Sequence, residues 1–233
     1  MCFHFKQSKT AQELKNRFNA GIEKNNNIEP AIYNGFQFPK TPIITNKQPE
    51  IIQLYHWGLI PFWAKDDLIK KSTLNARIET IHEKPSFKNI TNNRCLILAD
   101  AFYEWQWLDE KGKQKQKYEI TLPNDETFAF AGLWSIWTNS TTGELIETYT
   151  ILTCVANNLL SKIHNTKKRM PIIIAKNDES SWLIDGKINM QNDLLTANKE
   201  SNVSFGLIKL RFVKKEKKEY IWLKNILITK TKS

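Results

Sequence analysis

Between Arg94 and Ala156 the sequence consists of strand-like runs and short polar turns, and leaves little room for anything else. "RCLILA" is continuously apolar, as a strand buried on both faces must be. "AFYEWQW" then alternates aromatic and polar positions, the period-two pattern of a strand with one face covered. "DEKGKQ" turns the chain, and "QKYEITL", "FAFAGLWSIW" and "IETYTILTCVA" follow as strands separated by "PNDE" and "NSTTGE". Breaks this short join neighbours that run in opposite directions, because a parallel return needs a dozen or more residues. The segment therefore predicts an antiparallel β core to which the remainder must adapt.

The flanks carry short helices and further strands. "TAQELKNRFNA" (10–20) has helical spacing, with Thr10 as N-cap and Glu13 three residues on as its partner. The Asn-rich "EKNNNIEP" reads as a loop, and "AIYNGF" and "EIIQLYHWGL" read as strands set apart by Pro39, Pro42 and Pro49. "AKDDLIKKS", "NNLLSKIH" and "DESSWL" predict short helices, the last two around a strand "MPIIIA". The tail adds two strands, "VSFGLIKLRFV" and "EYIWLKNILI". With no internal repeat and no dividing linker, one domain is expected over residues 1–233. Its class is α+β, predominantly an antiparallel β core with short flanking helices.

No apolar run approaches the roughly 20 residues that span a bilayer, and the start lacks a basic-then-apolar secretion pattern. A soluble, cytoplasmic protein without a membrane partner is expected. Three cysteines with no CxxC pair argue against a disulfide framework or a zinc ribbon. Cys95 and Cys154 lie in apolar strands, where a thiol is a small buried hydrophobe, so Cys2 is the one placed to react. GxxxxGK[ST], GxGxxG and HExxH are absent, and His4, His56, His82 and His164 lack ligand spacing; no metal and no cofactor are expected. Lys and Arg exceed Asp and Glu by 34 to 24, a net charge of +10 that suits a polyanionic partner. The tryptophans near basic residues favour unpaired bases, on which aromatic faces stack. Much of the excess charge sits in two runs that read as loop tips, "KGKQKQK" at 111–117 and "KKEKKE" at 214–219. "HWGLIPFWAK" at 56–65 reads as an aromatic corner.

Several single positions could carry chemistry. Cys2 stands directly behind the initiator methionine, and a second residue this small permits removal of Met1, leaving an amine and a thiol on neighbouring carbons. An α-amine titrates near ~8 and a thiol near ~8.5, so both give usable fractions of their reactive forms at neutral pH. Glu104 is a carboxylate inside an aromatic strand, where desolvation would raise its pKa toward that of a neutral-pH acid–base catalyst; alternation alone would equally let it face solvent. Asn75 and Arg77 in "STLNARIET" sit where a loop enters a helix, and the plain account is an Asn cap and a surface Arg. His164 ends "NNLLSKIH", where a histidine compensates the helix dipole.

Taken in order, "MC", "WGLIPFWAK", "LNARIET", "RCLILADAFYEWQW", "FAFAGLW", "YTILTCVAN" and "IHNTKKRMPIII" resemble the SRAP family, the SOS-response-associated peptidases that process abasic sites. The resemblance runs from Cys2 to Trp182 and Leu183. It implies an enzyme of the DNA-damage response that recognises abasic sites in single-stranded DNA and forms a DNA–protein crosslink. Such an enzyme would be of lyase or hydrolase type, able to remove Met1 autoproteolytically, and would act as a monomer, near the nucleoid if the source is bacterial. The resemblance further implies that Cys2 attacks the ring-opened deoxyribose aldehyde and ends as a thiazolidine. Asn75 would hold the terminus and sugar, Glu104 would be the acid–base carboxylate, His164 would assist proton transfer, and Arg77, Trp105 and Arg169 would contact DNA. The chain departs from the family's usual Cys-Gly-Arg start with Cys2-Phe3-His4, and replaces its short His-Asp-Arg turn with "HNTKKR". Two other classes stay open: an N-terminal-nucleophile amidohydrolase or peptidase using the Cys2 thiol, and a non-catalytic single-strand binder.

Overall fold

The computed structural model describes residues 2–24, 26–122 and 125–184, together with the backbone of Lys209–Phe212. In chain order the strands are β1 (His4–Gln7), β2 (Gly21–Ile22), β3 (Ala31–Asn34), β4 (Lys40–Thr45), β5 (Gln48–Trp57), β6 (Asn75–Arg77), β7 (Arg94–Ala99), β8 (Ala101–Trp107), β9 (Lys115–Thr121), β10 (Phe128–Thr138), β11 (Leu145–Val155), β12 (Arg169–Pro171), β13 (Ile173–Ile174) and β14 (Lys209–Phe212). The α-helices are α1 (Ala11–Phe18), α2 (Asn158–Ile163) and α3 (Glu179–Leu183). The fold is α+β and mostly strand. The strand expected over 219–228 and the lysine run at 214–219 lie outside the described residues.

The strands form two sheets. One runs β14-β9-β8-β1-β3; the other runs β12-β11-β10-β7-β4-β5-β2, with β13 added to β10 and β6 to β11. β4, β5, β7, β10 and β11 pair antiparallel with their neighbours. β5 then returns to β11 in parallel, placing His56 opposite Thr148 and Trp57 opposite Tyr149. The path β5-β4-β7-β10-β11 thus closes on itself, which removes unpaired edges along that stretch. All six residues of β7 are buried, as the apolar run predicted. Gly132 lets β10 pass between its neighbours: a Cβ there would meet Ile97 Cδ1 at 2.3 Å and the Thr150 carbonyl oxygen at 2.7 Å.

Aromatic residues join the five-stranded sheet to the closed one. The Phe5 ring lies 5.1 Å from those of Tyr33 and Trp57 and 5.8 Å from that of Phe130, while Phe102 lies 5.9 Å from Phe130. Burying rings this large supplies most of the apolar area that fixes β1 over the core. Polar bonds set its register: the Asp100 N–H donates to the Lys6 carbonyl at 2.9 Å, and the Ser8 N–H donates to the Asp100 carboxylate at 3.0 Å. α1 has the expected capping box, with the Thr10 N–H on Glu13 Oε2 at 2.7 Å and the Glu13 N–H on Thr10 Oγ1 at 3.3 Å. Arg17, in its last turn, grips the Glu179 carboxylate of α3 with both terminal nitrogens at 2.9 and 2.7 Å.

Several expectations are corrected. Asn75 and Arg77 do not open a helix. They lie on β6, whose partner β11 runs parallel and pairs Ile151 with Asn75, and a 3-10 turn over Ile78–Thr80 follows. "AKDDLIKKS" yields only a 3-10 turn, Leu68–Ser72. "MPIIIA" is two short strands parted at Ile172, whose N–H donates to the Leu152 carbonyl at 2.9 Å. The aromatic corner is half buried: the Trp57 indole N–H donates to the Leu74 carbonyl at 2.8 Å inside the core, whereas Phe62 and Trp63 are exposed.

Candidate active site

Cys2 enters the core just before β1. Its side chain is fully buried, and its thiol lies 3.6 Å from the His4 carbonyl oxygen. Burial pushes the thiol well above its ordinary pKa, and the nearby Glu104 carboxylate pushes it the same way. This corrects two readings of the sequence. Exposure does not single out Cys2, since Cys95 and Cys154 are buried as well, and the buried thiol holds no useful thiolate fraction at neutral pH. What distinguishes Cys2 is its company.

Asn75 is delivered by β6, held at the mouth of the core because the Leu74 carbonyl accepts from both Trp57 Nε1 and the Ile151 N–H, at 2.8 and 3.1 Å. Its amide Nδ2 donates to the Cys2 carbonyl at 2.8 Å, while Oδ1 is buried with no hydrogen-bond partner among the described residues. Glu104 sits mid-strand on β8, two residues after the core ring Phe102 and therefore on the same, inward face. It is 3 % exposed, which decides between its two sequence readings. Burial raises its carboxyl to about 7, against the opposing pull of the chain's positive amino terminus.

His164 caps α2, its N–H donating to the Leu160 carbonyl at 2.7 Å. The turn after it closes through Lys168, in the left-handed region at φ 48, whose N–H reaches the His164 carbonyl at 2.9 Å. This brings Arg169 back so that its carbonyl lies 2.9 Å, and its N–H 3.2 Å, from His164 Nδ1. Burial, followed by the amino-terminal charge, lowers the imidazole to about 4, so the ring is neutral at neutral pH. Glu104 and His164 thus both respond to the charge of the amino terminus that Cys2 follows. Asn75 bonds the Cys2 carbonyl, the Glu104 charge acts on the Cys2 thiol, and His164 responds to the same amino-terminal charge.

The three residues expected at DNA do not share one setting. Arg77 is exposed at the end of β6. Trp105 lies on the face of β8 opposite Glu104, half-buried, with its ring 5.0 Å from that of His4. Arg169 is buried: its guanidinium holds both oxygens of Glu79 at 2.7 and 2.8 Å and donates to the Thr153 carbonyl at 2.8 Å. Sequence reasoning missed Glu79, whose only signal was an acid two residues after Arg77 in "ARIET". Among the described residues no group of three or more His, Cys, Asp or Glu is placed to hold a metal ion, and no helix is long and apolar enough to cross a membrane.

Comparison with known proteins gives this arrangement a setting. The family model described as SOS response associated peptidase (SRAP) matches residues 1–212. The chain belongs to the SRAP family. It is 47 % identical over 128 residues to the abasic site processing protein YoqW of Bacillus subtilis, covering 54 % of each chain. It is 32 % identical over 185 residues to the abasic site processing protein HMCES of Pongo abelii, covering 66 % of this chain and 51 % of that one. The SRAP chain thus spans about half the length of the curated relatives it matches. A crystal structure of a Bacteroides thetaiotaomicron protein, 30 % identical, superposes with a TM-score of 0.78 over 92 % of this SRAP chain and 93 % of that one.

Proposed function

We propose that the protein processes abasic sites in single-stranded DNA by linking itself covalently to them through Cys2 after Met1 is removed. The observation that carries this reading is a carboxyl held near neutrality, Glu104, beside the one cysteine that can present an α-amine. The names of the relatives, both abasic site processing proteins, point the same way.

The chemistry follows from these groups. The freed α-amine of Cys2 adds to the aldehyde of the ring-opened sugar. Glu104, half protonated near neutral pH, gives its proton to the departing hydroxyl, so that water leaves and a protonated imine remains beside the Glu104 carboxylate. The sulfur then adds to the imine carbon, the C=N electron pair moves to nitrogen, and the thiol proton passes to the Glu104 carboxylate. One C–N and one C–S bond form and one water is lost. A base far along the chain but close enough for its charge to act on the thiol suits a thiol whose pKa burial has raised, because the proton is removed as the bond forms. Both nucleophiles sit on one residue, so ring closure is intramolecular and gains by proximity. Asn75 fixes the Cys2 carbonyl and offers its unpartnered Oδ1 to the new amine. His164, neutral, relays protons at the sugar. Arg77 and Trp105 bind the strand, and Arg169 acts as a positioning residue that shapes the His164 turn.

Mixing the purified protein with an abasic single-stranded oligonucleotide and running a denaturing gel tests the reading. A shifted, heat-stable band is expected. Turnover of peptides or amides without that band would favour the amidohydrolase class instead.

A further inference from the structure

The lysine run at 111–117 is not a loose loop tip. Asp109 gathers its first part into a tight turn by accepting from the Lys111 and Lys113 N–H groups at 2.9 and 3.1 Å. Gly112, at φ +62, lies so close to Trp107 that a Cβ would come within 2.6 Å of the indole. The remainder is β9, and lysines at alternate positions along a strand share one face.

The register decides which face. Trp105 pairs with Lys117 and Trp107 with Lys115. Two tryptophans and two lysines therefore form successive cross-strand rungs, roughly 7 Å apart, on the face of β8–β9 opposite Glu104. The Lys117 ammonium lies 5.5 Å from the Trp105 ring centroid and 4.0 Å from that of Tyr103, and the Lys115 ammonium lies 5.0 Å from that of Trp107. His4 abuts Trp105 at one end. Glu119, the acid on this face, is neutralised by Lys6 at 2.7 Å and accepts from the Tyr103 hydroxyl at 3.1 Å. The far end is tied to the residue after His164: Asn165 accepts from the Trp107 N–H at 3.1 Å and donates to its carbonyl at 2.8 Å. Lys115 is exposed, and Trp105, Trp107 and Lys117 are half-buried.

Resting on the reading above, we propose that this face is a track for the undamaged single-stranded DNA that flanks the abasic site, with Trp107, Lys115 and Lys117 extending the contact begun by Trp105. In the free protein the Lys115 ammonium rests over the Trp107 indole, and the Lys117 ammonium rests over the Tyr103 ring beside Trp105. A base arriving on the ring displaces a weakly held cation, which then meets the neighbouring phosphate. Bases of any identity have a face to stack, so the track reads backbone and stacking rather than sequence.

The test measures affinity for undamaged single-stranded oligonucleotides of increasing length, at several salt concentrations, for the wild type, Trp107→Leu and the pair Lys115→Gln/Lys117→Gln. Trp107→Leu is expected to weaken binding to long oligonucleotides by about 5- to 150-fold, and the lysine pair to flatten the log–log salt slope by about 1.4. Melting temperatures show whether each variant is folded, and the lysine pair, which leaves the indoles in place, keeps the test decisive if Trp107→Leu is not. Wild-type affinity and salt slope in a folded lysine pair would overturn the track. Crosslinking is scored separately on abasic DNA, so a wild type that binds long strands through these residues but never crosslinks would retain the track and refute the proposed chemistry.

Discussion

Glu104 shows how one position acquires chemistry. A carboxyl on the inward face of a strand rich in aromatic residues loses hydration, and its raised pKa places it where it can both give and accept a proton near neutral pH. Glu104→Gln should slow crosslinking by about 10²-fold or more and flatten the pH–rate profile around about pH 7, while single-strand affinity stays close to wild type. A wild-type rate across pH would remove the acid–base role. The same shift has a stability consequence. Because the folded value, about 7, lies above the ordinary 4.5, the folded state holds the extra proton between them. That contribution is whole below about pH 4.5 and is lost as pH rises through about 7. Chemical denaturation of Glu104→Gln should therefore show little change at the acid end and a gain of about 1–3 kcal/mol above the upper value. Arginines supply a contrast. Arg77→Ala should reduce the salt slope of strand binding by about 0.7, as for one lost phosphate contact, whereas Arg169→Ala should leave the slope alone and slow crosslinking by loosening the His164 turn. Equal slope changes in the two variants would return Arg169 to the DNA.

At the scale of elements, legibility follows from how local the determining interaction is. β7 to β11 were readable as strands because the period and turn residues that define them are contiguous, and β8–β9 and β10–β11 pair as hairpins, whereas the pairing of β7 with β4 and β10 is not local. α1 was readable because its cap is a side chain three residues from its partner. β6 was not: three residues carry no period, and their strand state is imposed by β11, more than seventy residues later and parallel. The closure of β5 on β11 was hidden for the same reason. At the site, Cys2, Asn75, Glu104 and His164 were named from sequence, and the fold brings Asn75 onto the Cys2 carbonyl and the Glu104 charge near the Cys2 thiol. The burial of Cys2, the clamp between Glu79 and Arg169, and the lysine ladder needed the fold, since each depends on which face of a strand meets which neighbour. The crossing at Gly132 gives this scale its test. Gly132→Ala sets a methyl against the Thr150 backbone, which cannot yield as a side chain would. Destabilisation at or above the upper end of roughly 1–3 kcal/mol is expected by thermal or chemical denaturation, and a melting point equal to wild type would mean that β10 and β11 do not approach as described.

At the scale of the molecule, a closed sheet and a five-stranded sheet bury an aromatic core, and Cys2, the residue proposed to react, is held against it. β1 is clamped between β3 and β8, so Cys2 meets Asn75 and Glu104 at a fixed place rather than fraying as a terminus ordinarily does. The net charge of +10 favours a polyanionic partner, and the proposal places it along Arg77 and the tryptophan–lysine ladder. The central claim is that the terminal amine and thiol of Cys2 together seal the product, and intact mass spectrometry of the heated reaction tests it most directly, with Cys2→Ser run alongside. Serine keeps a small second residue, so Met1 should still be lost and an imine should still form, but a hydroxyl is too weak a nucleophile at neutral pH to close a durable ring. The account predicts, for the wild type, a heat-stable species weighing the protein without Met1 plus the oligonucleotide less one water. For Cys2→Ser it predicts little heat-stable adduct and more cleaved DNA. An adduct that retains Met1, or one from Cys2→Ser that survives heating equally well, would contradict it.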